Sequence, residues 1–263
     1  MYRFALRPLW IVSHVLVATL VVVMIALGFW QVRRYGERAD RNETIEERTT
    51  GPVQPWPAAV FGVVDTVDGP DAEYTPVQLS GTYDPAEEFV VVSRTQDGAP
   101  GRWIVTPLRQ SDGGPAVLVL RGFAPLAIDD ADPPVDGVEP PPGEVTVQGW
   151  IRPSSSPSGI QADRSRVGDS EWARIDIDQY REETGEDVAP VYVQLATQTP
   201  PTDAPVLTPV PLPELTAGPH VGYAAQWFIF STIAVVGYGL ILRRAARRES
   251  GPDSEGERGL DDT

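Results

Sequence analysis

The chain has 263 residues, a formal net charge of −16 and no cysteine. Without thiols there can be no disulfide, zinc–thiolate site, iron–sulfur cluster or cysteine nucleophile, and with only two histidines there can be no three-histidine metal site within one chain. The acidity denies nucleic acid the basic footprint it needs, and because all 21 basic residues are Arg, the coding genome is expected to be that of a GC-rich bacterium.

Residues 1–8 form a short N-terminus. Leu9 to Phe29 is a run of 21 residues without a formal charge, with Trp10 and Trp30 near its ends. That is the length a bilayer core requires, with aromatic anchors at the interfaces. It exceeds the apolar core of a signal peptide, so residues 9–30 read as a retained transmembrane helix. Gln31 to Thr50 mixes Glu, Arg and Asp densely and reads as a polar continuation of that helix, stopped by Gly51-Pro52. Val53 to Ala72 is rich in Pro and Gly and carries little pattern.

Strand signals follow. Val77–Tyr83 alternates apolar and polar; Phe89–Arg94 and Trp103–Leu108 are β-rich; Ala116–Phe123 is the most apolar; Val145–Arg152 alternates again, and Val191–Leu195 closes the set. Turn pairs at Asp84-Pro85, Asp97-Gly98 and Asp112-Gly113 predict antiparallel hairpins among the first four. One helix is expected at Asp176–Thr184 with Gly185 as its stop. Three stretches rich in Pro, Ser or Asp, 129–143, 154–168 and 198–219, read as solvated connectors, the last a proline-stiffened tether. The fold class expected is an α+β membrane protein. Two transmembrane helices flank a mainly antiparallel β domain, shaped as a small barrel or sandwich.

The second span is 220–242, with an apolar run from Tyr223 to Leu242 and Arg243, Arg244, Arg247 and Arg248 directly after it. The arginines put its C-terminal end in the cytoplasm. Two spans then put both termini there, leaving 31–219 outside a cell membrane as a multi-pass protein's outer domain. Residues 31–220 hold 14 Arg against 31 Asp and Glu, a net −17. The remainder, 243–263, reads as a basic then acidic, disordered tail.

No catalytic motif is present: no phosphate-binding glycine loop, no nucleophile elbow, no histidine pair at metal spacing. The acidic pairs Glu87-Glu88, Asp129-Asp130 and Glu182-Glu183 read as solvated, so no enzymatic activity is expected. The outer ends of the two spans carry the chemistry instead. Trp30, Gln31, Arg33 and Arg34 end the first, and His220, Tyr223, Gln226 and Trp227 begin the second, with His220, Tyr223 and Trp227 on one helical face. An imidazole at an apolar interface beside guanidinium groups suits haem, which takes an axial nitrogen, an apolar slot and cations for its propionates. The plainer reading is that His220 is only an interfacial polar residue or a hydrogen-bonding cap of the helix. His14 lies 16 residues before Trp30, about 24 Å at ~1.5 Å per residue. His14 and His220 therefore cannot bind one iron, and His14 is expected to pack on the partner helix or on another subunit.

Leu27-Gly28-Phe29-Trp30-Gln31-Val32-Arg33-Arg34 resembles the Leu-Gly-x-Trp-Gln-x-x-Arg signature that ends the first helix in the Surfeit locus protein 1 family. Val105-Thr106-Pro107-Leu108, Val117–Pro125 and Gly149-Trp150-Ile151-Arg152 are similar to its central blocks, and His220–Phe228 to its closing His-x-x-Tyr-Ala-x-x-Trp motif. Leu120, Phe123 and Pro219 depart from the usual Asn, Trp and Asn. The resemblance implies a non-enzymatic assembly factor for haem–copper cytochrome c oxidase that holds or delivers haem a transiently to subunit I, alongside haem A synthase. His220 would be the iron-ligand candidate and the only metal-binding residue. Trp30, Gln31, Arg33, Arg34, Tyr223, Gln226 and Trp227 would shape the cofactor slot. The alternative is a haem-free membrane scaffold for an oxidase intermediate. Membrane lipid is a further partner.

Overall fold

The computed structural model describes residues 6–56, 72–126, 134–155, 165, 168, 170–216, 218 and 220–249, the last without the side chains of His220 and Glu249. Most of 53–72, parts of the first two connectors, and the tail from 250 on lie outside the described residues. The chain divides into two compact units: Met1–Glu43 with Leu215–Thr263, and Thr44–Glu214.

The first unit is helical. Helix α1 spans Pro8–Thr49, and the last helix, α3, spans His220–Glu249. α1 therefore takes in the polar stretch to Thr49, as its pattern predicts. Pro8–Thr49 and Val221–Arg248 are each long and apolar enough to cross a membrane. Their most apolar windows are only 11% and 6% buried, so neither is the core helix of a soluble domain. Large apolar side chains such as Leu16, Val22, Ile233 and Leu240 face outward, 61–64% exposed.

The second unit is a mixed sheet. Its strands are β1 Gln54–Pro55, β2 Pro76–Tyr83, β3 Phe89–Gln96, β4 Ala99–Gln110, β5 Val117–Pro125, β6 Glu144–Pro153, β7 Glu171–Trp172 and β8 Val191–Thr199, with helix α2 at Ile177–Thr184. The order is β1-β2-β6-β8-β5-β4-β3-β7, and β2 also pairs with β4 at Gly81–Tyr83. The ladders of β2, β6, β8, β5 and β4 thus return on themselves. The close approach explains Gly81, since a Cβ there would lie 2.3 Å from the Arg109 carbonyl oxygen.

The hairpin expectation holds for β3–β4 and β4–β5. Asp97 and Gly98 at φ 51° and 79° give the first of these the left-handed turn that matches strand twist. It fails for β2–β3. Asp84 caps a 3₁₀ turn at Pro85–Glu87, its carboxylate accepting from the Ala86 amide, and β3 then pairs with an earlier stretch of the same β4 edge that β2 borders, rather than with β2. The sheet is mixed but mainly antiparallel, as expected: its long ladders are antiparallel, while β8 joins β5 in parallel, as do the two-residue strands β1 and β7 with β2 and β3. Side chains pack on both faces of β5. Val117 and Val119 enter the cluster with Val77, Leu108 and Val147, while Leu118 and Leu120 enter another with Trp172, Ile177 and Tyr180. A strand covered on both faces reads as a continuous apolar run.

The connectors are not simply solvated. Val135 and Val138 are fully buried, as is Ser165, and Ala204 is 6% exposed. The stretch after β8 is strapped down: Phe123 and Thr208 exchange backbone hydrogen bonds of 2.7 and 2.9 Å, and the Gln194 side chain donates to the Val210 carbonyl at 2.8 Å. Polar side chains from the strands satisfy the connector backbone, which is what permits loops to be buried.

Candidate functional site

The two apolar helices meet along one seam. Gly28 has no side chain where Phe228 lies, and a Cβ there would sit 2.8 Å from that ring. Phe29 meets Phe228 edge to face, with centroids 5.4 Å apart. On α3 the buried positions Ala224 and Ser231 continue the face of Phe228 at four- and three-residue spacing; on α1 Met24 lies one turn before Gly28. Small residues at such a seam let the backbones approach.

Toward the arginine-rich end, the Tyr238 hydroxyl donates to Ser13 Oγ at 3.0 Å and lies 2.7 Å from His14 Nδ1. The Tyr238 ring stands edge-on to His14 at 5.6 Å, and Trp10 lies 6.4 Å away on the other side. His14 thus packs on the partner helix. Tyr238 follows His220 by 18 residues, about 27 Å of helix at ~1.5 Å per residue, which keeps the two histidines apart.

The seam brings the end of α1's apolar run level with the first turns of α3. Gln31, one turn beyond Gly28, is half-buried. Trp30 and Tyr223 are 47% and 48% exposed, and Gln226 is exposed. Trp227 is half-buried and meets Phe230 edge to face at 6.4 Å. Tyr223 and Trp227 each precede a seam residue by one position, so they stand about 100° round from the seam. They flank the contact rather than fill it. Arg34 bonds Glu37 at 3.1 Å and Arg33 approaches it at 3.9 Å, both in exposed bridges within one helix. His220 opens α3, and its side chain lies outside the described residues.

A second polar centre, absent from the sequence expectations, lies inside the sheet. Opposite β5, Ile104 faces Gly122 and Val105 faces Leu120, so Arg121 is the extra residue of a bulge. Its guanidinium bonds Glu88 at 3.1 Å with both side chains fully buried, and donates to the Val138 carbonyl at 2.6 Å. Glu88 also accepts from Thr106 at 2.6 Å and from the Val135 amide at 3.1 Å. The Tyr83 ring lies 5.5 Å from the guanidinium, and its hydroxyl donates to Gln198 at 2.8 Å. Burial lowers the Arg121 pKa against the pull of Glu88, and burial raises that of Tyr83 against the pull of Arg121. The signal for this centre was a lone Arg inside the most apolar strand, since a charge there must be paired. Among the described residues no group of three or more His, Asp or Glu could hold a metal ion.

The sequence model of the SURF1 family matches residues 18–232. An uncharacterized SURF1-like protein of Mycobacterium tuberculosis is 28% identical over 250 residues, covering 94% of this chain and 89% of its own length. A SURF1-like protein of Monosiga brevicollis is 26% identical over 241 residues, 88% of this chain and 87% of its own. Surfeit locus protein 1 of Rattus norvegicus is 26% identical over 241 residues, 86% and 73% respectively. The matched span takes in the Gly28–Phe228 seam, the whole sheet and every residue from Trp30 to Arg34 and from His220 to Trp227.

Proposed function

This chain belongs to the SURF1 family, and from that premise we propose that it crosses a cell membrane twice and assists assembly of haem–copper cytochrome c oxidase. In this reading it holds haem a transiently at the outer interface and passes it to subunit I, with haem A synthase upstream, and catalyses no reaction itself. The observation that carries the reading is the Phe29–Phe228 contact, which levels the Trp30-Gln31 end of α1 with the Gln226-Trp227 turn of α3. The residues there fit such a group: Trp30, Tyr223 and Trp227 offer flat apolar surface beside the seam, and Arg33 and Arg34 are cations held only by exposed bridges. Exposed pairs of that kind are worth little and exchange readily, so either guanidinium can turn to a propionate. His220 supplies the one imidazole near that level, and a single axial nitrogen suits a carrier that must release. Bound haem would contribute its iron and its ring's absorbance; the chain contributes orientation and partial exclusion of water.

The test is purification from cells that make haem a, as wild type and as His220→Ala. The wild type is expected to carry haem absorbance and the variant to lose most of it. Equal haem content in both removes His220 as ligand. Co-purification with oxidase subunits and no haem band in either would favour the haem-free scaffold.

A further inference from the structure

We propose that α3 seats one anionic phospholipid on the side turned away from α1, its phosphate held by Arg243, Arg244, Arg247 and Arg248. These four follow the apolar run that ends at Leu242. At about 100° per residue they fall within an arc of roughly 140° of the helix surface. The seam positions Ala224, Phe228 and Ser231 lie on the other side of α3. The same arc continues down the helix as Ile229, Ile233, Val236 and Leu240, at three- and four-residue spacing and 55–61% exposed. From Ile229 to Leu240 is about 16 Å of helix at ~1.5 Å per residue, close to half of a bilayer core of about 30 Å. One acyl chain therefore finds an apolar track of its own length, and the track ends at guanidinium groups.

Those groups are open to an anion. All four arginines are exposed, and among the described residues no carboxylate bridges any of them. Neither 1–36 nor 215–248 contains an Asp or Glu that could. Arg243 and Arg247, like Arg244 and Arg248, are like charges one turn apart, which weakens a helix until an anion sits between them.

The chemistry selects an anionic lipid. A guanidinium fork matches phosphate oxygens in pairs, and arginines clustered directly beyond a span gather anionic headgroups. A zwitterionic headgroup would bring its own cation into the cluster. A free phosphate would leave the apolar track uncovered, and so would the chain's own stretch 249–263, with six acidic residues and one Arg. The inference rests on the reading that α3 crosses a membrane and is independent of haem.

The full chain in a neutral detergent would be titrated with dioleoyl phosphatidylglycerol and with phosphatidylcholine of the same acyl chains, bound lipid being counted by native mass spectrometry. Phosphatidylglycerol should bind about tenfold more tightly or better. Arg244→Gln with Arg248→Gln should remove most of that preference, and Arg244→Lys with Arg248→Lys should keep part of it. Arg38→Gln with Arg41→Gln removes as much charge from the exposed polar part of α1 and should change the preference less than about twofold. Equal binding of the two lipids, or equal loss in both glutamine variants, overturns the proposal. So does full displacement by inorganic phosphate, which would make the site one for a free anion. A rise of about tenfold in lipid affinity on deleting 250–263 would assign the arginines to the chain's own tail and overturn it too. Flotation of the reconstituted chain with phosphatidylcholine vesicles separates the two readings: a chain that does not float loses the membrane reading, and one that floats with equal lipid affinities loses only this proposal.

Discussion

Arg121 shows how much one buried charge can hold. It bonds Glu88, and the pair between them satisfies the Val135 amide and the Val138 carbonyl, which are the buried part of a connector. Removing one member of a buried pair typically costs about 3–5 kcal/mol. Arg121→Met should therefore lower the unfolding free energy of the full chain, obtained from urea titration read by tryptophan fluorescence, by that amount. Adding Glu88→Leu should recover part of the loss and not all of it, because the two backbone groups stay buried without partners. The tyrosines give a pH dependence. Tyr83, Tyr180 and Tyr192 all have pKa values raised chiefly by burial. Their folded values lie above the unfolded value of about 10, so their contribution is intact below pH ~10 and is lost as pH climbs through the raised values. Ultraviolet titration should show the exposed tyrosinates forming first. The buried ones should ionise only as the fold is lost. The Arg121 centre was half legible: a charge inside Ala116–Phe123 demanded a partner, but its partner is 33 residues away in sequence and the bulge that turns it inward has no local signature.

At the scale of elements, the sequence spoke most clearly where periodicity or length was strong. The extent of α1 to Thr49, the six main strands, and α2 between Asp176 and a left-handed Gly185 were all readable. The two-residue strands were not, since two residues carry no period. Nor was the parallel seating of β8 on β5, because pairing depends on which distant strands meet rather than on either strand's pattern. The helix seam was read as a layer of candidate residues, yet the contact itself runs through Gly28, Phe29 and Phe228, one position off Trp227. Its second fastening is Ser13, His14 and Tyr238. Interhelical hydrogen bonds of this kind average about 0.6 kcal/mol. Because the chain has no native cysteine, Phe29→Cys with Phe228→Cys gives a clean cross-linking readout. Its yield should fall about threefold on adding Tyr238→Phe or His14→Leu, and His14→Gln should restore part of it.

For the whole molecule, the proposed topology places the sheet domain outside and both ends inside. The absence of thiols again makes this measurable. Asp97→Cys, at an exposed hairpin turn, should react with a membrane-impermeant maleimide on intact cells, whereas Arg248→Cys should react only after permeabilisation. Labelling of both on intact cells would reverse the assignment drawn from Arg243, Arg244, Arg247 and Arg248. The ring of ladders also dictates an order of events during synthesis. β8 is the last strand to leave the ribosome, yet it lies between β6 and β5. Until Val191–Thr199 arrives, β6 and β5 keep open edges, and the strap at Thr208 has nothing complete to fasten. A chain delivered from its N-terminus must therefore wait, unclosed and exposed to proteases and to foreign strands, for nearly the whole domain. Only 21 residues later α3 begins, so on the proposed topology domain closure and insertion of the second helix become nearly simultaneous steps in the birth of the protein.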